Sequence, residues 1–128
     1  MRWLIAALVL APVVASAQDS FQLPSGNIFC AVEENAIRCD LAEFSFAKPP
    51  RPRDCETDWG HAYALGARGG SRVLCAGDTV INRGAPVLRY GARWDGLGVT
   101  CYAERTGLKC INGDGRGFEI SRTMLNRF

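Results

Sequence analysis

The sequence of 128 residues carries 15 basic and 13 acidic side chains, a formal net charge of +2 at pH 7. This near-balance gives no sign of the concentrated basic face that phosphate backbones require, so we expect no nucleic-acid partner. Six cysteines in so short a chain point instead to a disulfide framework.

The first seventeen residues have the pattern of a secretory signal peptide. Arg2 precedes an apolar stretch over residues 3–14, and the small residues Ala15-Ser16-Ala17 follow. A membrane-spanning helix needs about 20 apolar residues, so this stretch is too short for a permanent anchor. We therefore predict a signal peptide over residues 1–17, a periplasmic or secreted protein, and a single mature domain over residues 18–128 without a membrane span.

Two segments show the same hairpin pattern. Residues 27–39 and residues 98–110 each consist of two partly alternating apolar halves around a three-residue polar break. Gly107 can take the left-handed conformation that a three-residue loop requires. Ala36 stands at the equivalent position of the first hairpin, so its turn type stays open.

Each predicted hairpin places two cysteines opposite one another. Directly opposed strand residues lie about 4.5 to 5.5 Å apart, which is within disulfide reach. The predicted disulfides are Cys30–Cys39, Cys101–Cys110 and, by elimination, Cys55–Cys75. No two cysteines are closer than nine positions, whereas zinc sites draw ligands from closer pairs. We expect neither a metal nor a cofactor.

The middle of the chain predicts a further strand, turn and strand. Residues 58–65 and 72–75 flank a Gly-rich break, and Cys39, Cys75 and Cys110 are spaced by 36 and 35 residues. The predicted class is all-β, with small disulfide-stapled antiparallel hairpins arranged as a barrel, a sandwich or a trefoil-like fold with three pseudo-repeats.

Two further segments have less regular patterns. Residues 48–53 contain three prolines, which remove backbone donors, so we expect an extended crossover. Residues 121–128 close the chain either as a short helical turn or as a last strand.

His61 is the only histidine, so any imidazole chemistry must use it. Asp54, Glu56 and Asp58 lie nearby in sequence and Ser71 is a candidate nucleophile. No Gly-x-Ser-x-Gly elbow is present, and a lone histidine on a strand is more often a packed or surface residue. We assign no catalytic residues and expect a protein that is not an enzyme.

Two loops suggest binding. Residues 89–96 combine arginine, aromatic and glycine residues, which are common at binding hot spots, although Trp94 can equally cap the core. Residues 112–117 begin like a calcium loop, but Arg116 carries the wrong charge for a cation ligand, which favours a plain turn. The predicted binding residues are Arg89, Tyr90, Arg93, Trp94, Asp114 and Arg116.

Several short motifs together resemble one known family. They are Leu23-Pro24-Ser25-Gly26-Asn27-Ile28, Arg38-Cys39-Asp40, Asp54-Cys55-Glu56, Asp58-Trp59-Gly60, Gly77-Asp78-Thr79, Tyr90-Gly91, Gly98-Val99-Thr100-Cys101, Gly117-Phe118 and Ser121-Arg122. The chain is similar to an uncharacterised family of exported bacterial six-cysteine proteins, a domain of unknown function. The resemblance implies export from a bacterium and brings no activity, cofactor or catalytic residues. That family tends to have histidine where this chain has Arg116.

These observations favour an exported, non-catalytic binding or structural module of the bacterial cell envelope, with an envelope or extracellular partner. A narrower alternative is an inhibitor of a cell-wall hydrolase. A second alternative is a small hydrolase that uses His61.

Overall fold

The computed structural model describes residues 19–128 of the chain. This part contains ten β-strands, connected by loops and turns, and no helix. The predicted signal peptide, residues 1–17, lies outside this part. Within it no helix is long and apolar enough to cross a membrane. The strands are β1 (Ser20–Gln22), β2 (Ile28–Glu33), β3 (Ala36–Leu41), β4 (Trp59–Gly66), β5 (Arg72–Cys75), β6 (Arg93–Gly96), β7 (Val99–Glu104), β8 (Gly107–Asn112), β9 (Gly117–Ile120) and β10 (Leu125–Arg127).

The strands form two five-stranded antiparallel meanders, ordered β1-β2-β3-β4-β5 and β10-β9-β8-β7-β6. The all-β antiparallel prediction is confirmed, and the two-sheet arrangement corresponds to the sandwich among the predicted alternatives. The predicted hairpins are β2–β3 and β7–β8. In chain order, each supplies the second and third strand of its sheet. The hairpin that recurs in the sequence therefore occurs once in each sheet. The middle segment adds β4 and β5 to the first sheet.

All three predicted disulfides are confirmed. Within each hairpin the two cysteines are directly opposed in register, with Cα atoms 4.1 Å apart in the first and 4.0 Å in the second. The third bridge joins the loop before β4 to the end of β5 across 5.7 Å. The pairs are Cys30–Cys39, Cys101–Cys110 and Cys55–Cys75.

The two hairpin turns differ in which residues adopt positive φ angles. Glu34 and Asn35 have φ angles of 51° and 61°, as in a two-residue type I′ turn, which suits the right-handed twist of the strands. In the second hairpin the positive φ of 140° falls on Gly107, which already pairs with Glu104, so the loop has two residues and not the expected three. A Cβ atom at Gly107 would collide with the carbonyl oxygen of Ile120, so close packing on β9 also requires glycine here.

The core lies between the sheets and both contribute to it. The Phe21 and Trp94 rings are 5.8 Å apart, which places β1 near β6, and Tyr63 lies 6.3 Å from Phe118, which places β4 near β9. Burial of these aromatic rings contributes to the hydrophobic stabilisation of the core.

Polar contacts align the sheets at both ends. At one end the buried Asn112 donates from Nδ2 to the carbonyls of Gly66 and Gly69, at 3.0 and 2.8 Å. At the other end the backbone N–H of Ser45 donates to the Arg122 carbonyl at 2.8 Å. We call these the β4–β5 turn end and the β9–β10 turn end.

Candidate functional site

A buried ion pair lies on the outer face of the first sheet. Arg38 and Asp40 flank Cys39 on β3, and Cys39 faces the core, so both charged side chains face away from it. They are 2% and 0% exposed. Arg38 donates to the two carboxylate oxygens of Asp40 from Nε at 2.9 Å and Nη2 at 3.1 Å. Their neighbours on β4 are Ala62 and Ala64, whose small side chains leave room for the guanidinium.

All five N–H donors of Arg38 are used. Nη1 donates to the carboxylates of Glu33 at 3.3 Å and Asp78 at 3.1 Å, and Nη2 also donates to the Asp78 carbonyl at 3.1 Å. Burial alone would lower the pKa of Arg38, but the hydrogen bonds and charges of Asp40, Asp78 and Glu33 outweigh it and raise this pKa above its usual value. The guanidinium is therefore permanently charged.

Asp40 also holds the segment that follows β5. Its Oδ2 accepts hydrogen bonds from the Thr79 hydroxyl at 3.0 Å and from the Val80 backbone N–H at 3.2 Å. Together with the Arg38 bonds to Asp78, these contacts fix residues 77–81 above the sheet. A buried carboxylate thus determines where this surface segment lies.

His61 reaches this cluster through an irregularity in β4. Strict alternation would place its side chain on the core face with Tyr63 and Leu65. The pairing of β4 with β5 shifts register between Trp59 and Tyr63, and Gly60 has a φ of 95°. The His61 side chain is 18% exposed, and its Nε2 lies 3.9 Å from Oδ2 of Asp40.

A cleft of about 390 Å³ opens beside His61, and we call it the His61 cleft. Its lining comes from three segments of the chain, residues 41–51, 58–61 and 77–81. This volume is within the range of small-molecule sites, about 300 to 1,000 Å³.

The His61 cleft combines aromatic rings with charges of both signs. Phe44 and Trp59 line it, and the Trp59 indole N–H donates to the Pro49 carbonyl at 2.8 Å. Lys48 and Asp58 also line it, and within residues 19–128 neither forms an ion pair. The Lys48 ammonium instead lies 5.8 Å from the centre of the Phe44 ring. Such a lining suits a ligand with an apolar face and both acidic and basic groups.

Two features hold the walls of this cleft together. The Lys48 chain crosses β4 at Gly60, where an added Cβ atom would lie 2.7 Å from Lys48 Cγ. The Cys55–Cys75 disulfide joins the segment before β4 to the segment that carries Asp78. The cleft is therefore fixed by an ion pair, a close backbone approach and a covalent bridge.

Comparison with known families assigns the chain. The sequence model of a family described as "Family of unknown function (DUF6636)" matches residues 3–128. The chain belongs to DUF6636. This confirms the resemblance to a domain of unknown function. Searches of the curated proteins and of the solved structures each found no match.

Three of the motifs that carry the family resemblance meet at the His61 cleft of this DUF6636 protein. They are Arg38-Cys39-Asp40, Asp58-Trp59-Gly60 and Gly77-Asp78-Thr79. These segments are up to 41 positions apart in sequence. Sequence reasoning did not select Arg38, Asp40 or Trp59 as site residues. The available signal was the pair of charges flanking a core-facing cysteine, because alternation sends both of them to one face.

The predicted binding residues of the DUF6636 chain do not form one surface. Tyr90 lies at the β9–β10 turn end, where its ring contacts the Arg105 guanidinium at 5.2 Å. Arg93 pairs with Asp95 at 3.1 Å, and Trp94 is buried against Phe21.

The remaining predicted residues are separated from one another along the molecule. Arg89 is exposed beside Tyr90 in the chain. Asp114 and Arg116 lie at the β4–β5 turn end, where Arg116 donates from Nε to the Phe128 carbonyl at 3.2 Å. The two ends are about 17 Å apart along a six-residue strand.

The calcium-like turn is used for structure. Oδ1 of Asn112 accepts the backbone N–H groups of Asp114 and Arg116 at 3.0 and 3.2 Å. The Gly69 N–H, at 2.8 Å, and then the Arg68 side chain lower the pKa of Asp114, although partial burial opposes them. Among residues 19–128 no group of three or more His, Cys, Asp or Glu side chains could hold a metal ion.

A second and larger cleft, of about 560 Å³, lies at the β9–β10 turn end of the DUF6636 fold and includes Tyr90. Its arginines are engaged with neighbours, since Arg105 stacks on Tyr90 and Arg122 pairs with Glu43 at 2.9 Å. The ion pairs at this cleft within residues 19–128, Arg122–Glu43 and Lys109–Glu119, have side chains that are all at least 35% exposed. The His61 cleft is therefore the better candidate for the functional site.

Proposed function

We propose that this protein is an exported, non-catalytic binding module of the bacterial cell envelope, and that its ligand occupies the His61 cleft. The observation that carries the proposal is the rigid support of this cleft. Arg38 and Asp40 fix one wall and the Cys55–Cys75 disulfide ties it to the other. Walls that are already ordered lose little conformational entropy when a ligand binds, which favours recognition.

The lining suggests the chemistry of the ligand. Lys48 can bind a carboxylate of the ligand, and Asp58 can bind an ammonium or hydroxyl group. The Trp59 and Phe44 rings can pack against an apolar face of the ligand. Muropeptides, which are cell-wall fragments made of amino sugars and a short peptide, carry all of these groups. We take them as the ligand class for the test.

The surroundings of His61 argue against the hydrolase alternative. Asp40 lies near Nε2, but its oxygens already accept hydrogen bonds from Arg38, Thr79 and Val80. Ser71 lies about 10 to 13 Å from His61 along β4. Its hydroxyl accepts a hydrogen bond from Arg127 at 3.0 Å. The Thr79 hydroxyl also lines the cleft, but it donates its proton to Asp40 and not to His61, and this arrangement suits binding better than acyl transfer.

Titration of the mature protein, residues 18–128, with purified muropeptides tests the proposal. Trp59 fluorescence reports occupancy of the cleft, and a Trp94→Phe background removes the signal of the core tryptophan. Lys48→Met is expected to weaken binding at least ~10-fold, which corresponds to about 1.4 kcal/mol. Lys109→Met is the matched control, because Lys109 is the only other lysine and is absent from the cleft lining.

Three results would contradict the proposal. They are the absence of binding, an equal loss in both lysine variants, and turnover of the muropeptide that disappears in His61→Ala. The last would support the hydrolase. Slower digestion of cell walls by lysozyme in the presence of the protein would support the inhibitor alternative.

A further inference from the structure

The three disulfides differ in how far solvent reaches them. None of the four hairpin cysteines is more than 1% exposed. Cys75 is exposed at the end of β5, and its partner Cys55 lies in the loop before β4. Thiol–disulfide exchange needs a thiolate to reach a disulfide sulfur. In the folded protein only the Cys55–Cys75 bridge is open to such attack.

This bridge lies between the walls of the His61 cleft. Cys75 is the register partner of Trp59, and the Ala76 N–H donates to the Asp58 carbonyl at 3.0 Å. Residues 51–58 precede Trp59, and residues 76–81 follow Cys75. The covalent link therefore sets the spacing between two segments that both line the cleft.

Breaking the bridge would affect these two segments unequally. Residues 77–81 stay held by the hydrogen bonds to Arg38 and Asp40 described above. Residues 51–58 have local bonds from Arg51 to the Cys55 carbonyl at 3.0 Å and from the Cys55 N–H to the Pro52 carbonyl at 3.1 Å. Besides the disulfide, they are joined to the β5 side by the Ala76 bond to the Asp58 carbonyl and by a 3.2 Å contact between the Thr57 hydroxyl and Cys75 Sγ. Loss of the covalent link is therefore expected to loosen 51–58 and leave the opposite wall in place.

We infer that Cys55–Cys75 is a thiol–disulfide exchange site through which a dithiol reductant opens the His61 cleft. One thiolate of the dithiol attacks Sγ of Cys75, the S–S bond breaks, and Cys55 leaves as a thiolate that takes a proton. The second thiol of the reductant attacks the mixed disulfide and releases Cys75 as a thiol. Two electrons pass to the protein and the reductant becomes a disulfide. The exchange site rests on burial and position, and its effect on binding rests on the proposed function.

Graded reduction of the folded protein with dithiothreitol, followed by alkylation and peptide mass mapping, tests the inference. Core cysteines react only when the protein unfolds, so Cys55 and Cys75 should be alkylated at least ~1,000-fold faster than the other four. Amide hydrogen exchange should rise in residues 51–58 and stay unchanged in 77–81. Equal reaction of all six cysteines, or unchanged exchange in 51–58, would overturn the inference.

Binding of muropeptides separates this inference from the proposed function. Selective reduction should weaken binding at least ~10-fold, and Cys55→Ser/Cys75→Ser should show the same loss without reductant. If oxidised protein fails to bind, the proposed function fails, while the alkylation and exchange results still decide whether the bridge is an exchange site. If reduced and oxidised protein bind equally, the coupling to the cleft is wrong. Reduced wild-type protein gives this comparison even when the double variant fails to fold.

Discussion

Replacement of Arg38 by methionine tests whether the buried ion pair organises the site. The variant keeps a long apolar side chain but removes both hydrogen bonds to the Asp40 carboxylate. Within residues 19–128, Asp40 is then left fully buried with hydrogen bonds from Thr79 and Val80, and with His61 Nε2 at 3.9 Å. A stranded buried charge of this kind costs about 3 to 5 kcal/mol.

The outer partners of Arg38 add little to this figure. The Glu33 and Asp78 side chains are 43% and 75% exposed, and water screens such contacts. The total stability of a domain is about 5 to 15 kcal/mol, so the variant loses a large part of it. With a urea slope of about 1.5 kcal/mol per molar, the unfolding midpoint falls by roughly 2 to 3 M.

The double variant Arg38→Met/Asp40→Leu provides the control. It removes the carboxylate along with its partner, so no charge is stranded, and replacing both members of a buried pair is often neutral. We expect it to be at least ~2 kcal/mol more stable than the single variant in urea unfolding followed by circular dichroism. A single variant as stable as wild type, or a double variant less stable than the single one, would refute the reasoning.

Three further predictions concern the supports of the fold. In urea unfolding, Gly60→Ala should lower the free energy of unfolding by about 1 to 3 kcal/mol more than Gly91→Ala. Both glycines have positive φ, but an added Cβ atom would meet Lys48 at Gly60 and nothing within 4 Å at Gly91. Equal losses would contradict this. Cys101→Ala/Cys110→Ala should cost about 2.6 kcal/mol or more by loop entropy for a separation of nine residues, and a thermal scan showing no loss would count against the staple. Because the pKa of Asp114 is lowered, its stabilisation is present above the usual carboxyl pKa near ~4 and is lost as pH falls through the lower folded value. The stability difference between wild type and Asp114→Asn should therefore shrink on acidification, and a difference that stays constant with pH would contradict the assignment.

The hairpins and their disulfides could be predicted from sequence because they depend on local patterns. Eight residues between two cysteines, with a polar break in the middle, are enough to oppose Cys30 with Cys39 and Cys101 with Cys110. The turn type of the first hairpin could not be predicted from the sequence. Two non-glycine residues, Glu34 and Asn35, adopt positive φ there and form a two-residue loop.

The candidate site could not be predicted from the sequence because it depends on long-range contacts. Thr79 meets Asp40 across 39 positions. The alternation rule places His61 on the core face, and only the irregularity at Gly60 brings it to the outer face. The predicted binding residues were selected by type, yet Trp94 fills the core while Asp114 joins two turns. Composition indicates which residues are suited to binding, but the fold determines where each one lies.

Chemical-shift mapping of ¹⁵N-labelled protein, residues 18–128, during a muropeptide titration tests the central claim, that the supported cleft beside His61 binds the ligand. We expect the largest shifts at the Trp59 indole N–H and at the amides of His61 and Thr79. Largest shifts at Tyr90, Arg105 and Arg122, which line the second cleft, would contradict it.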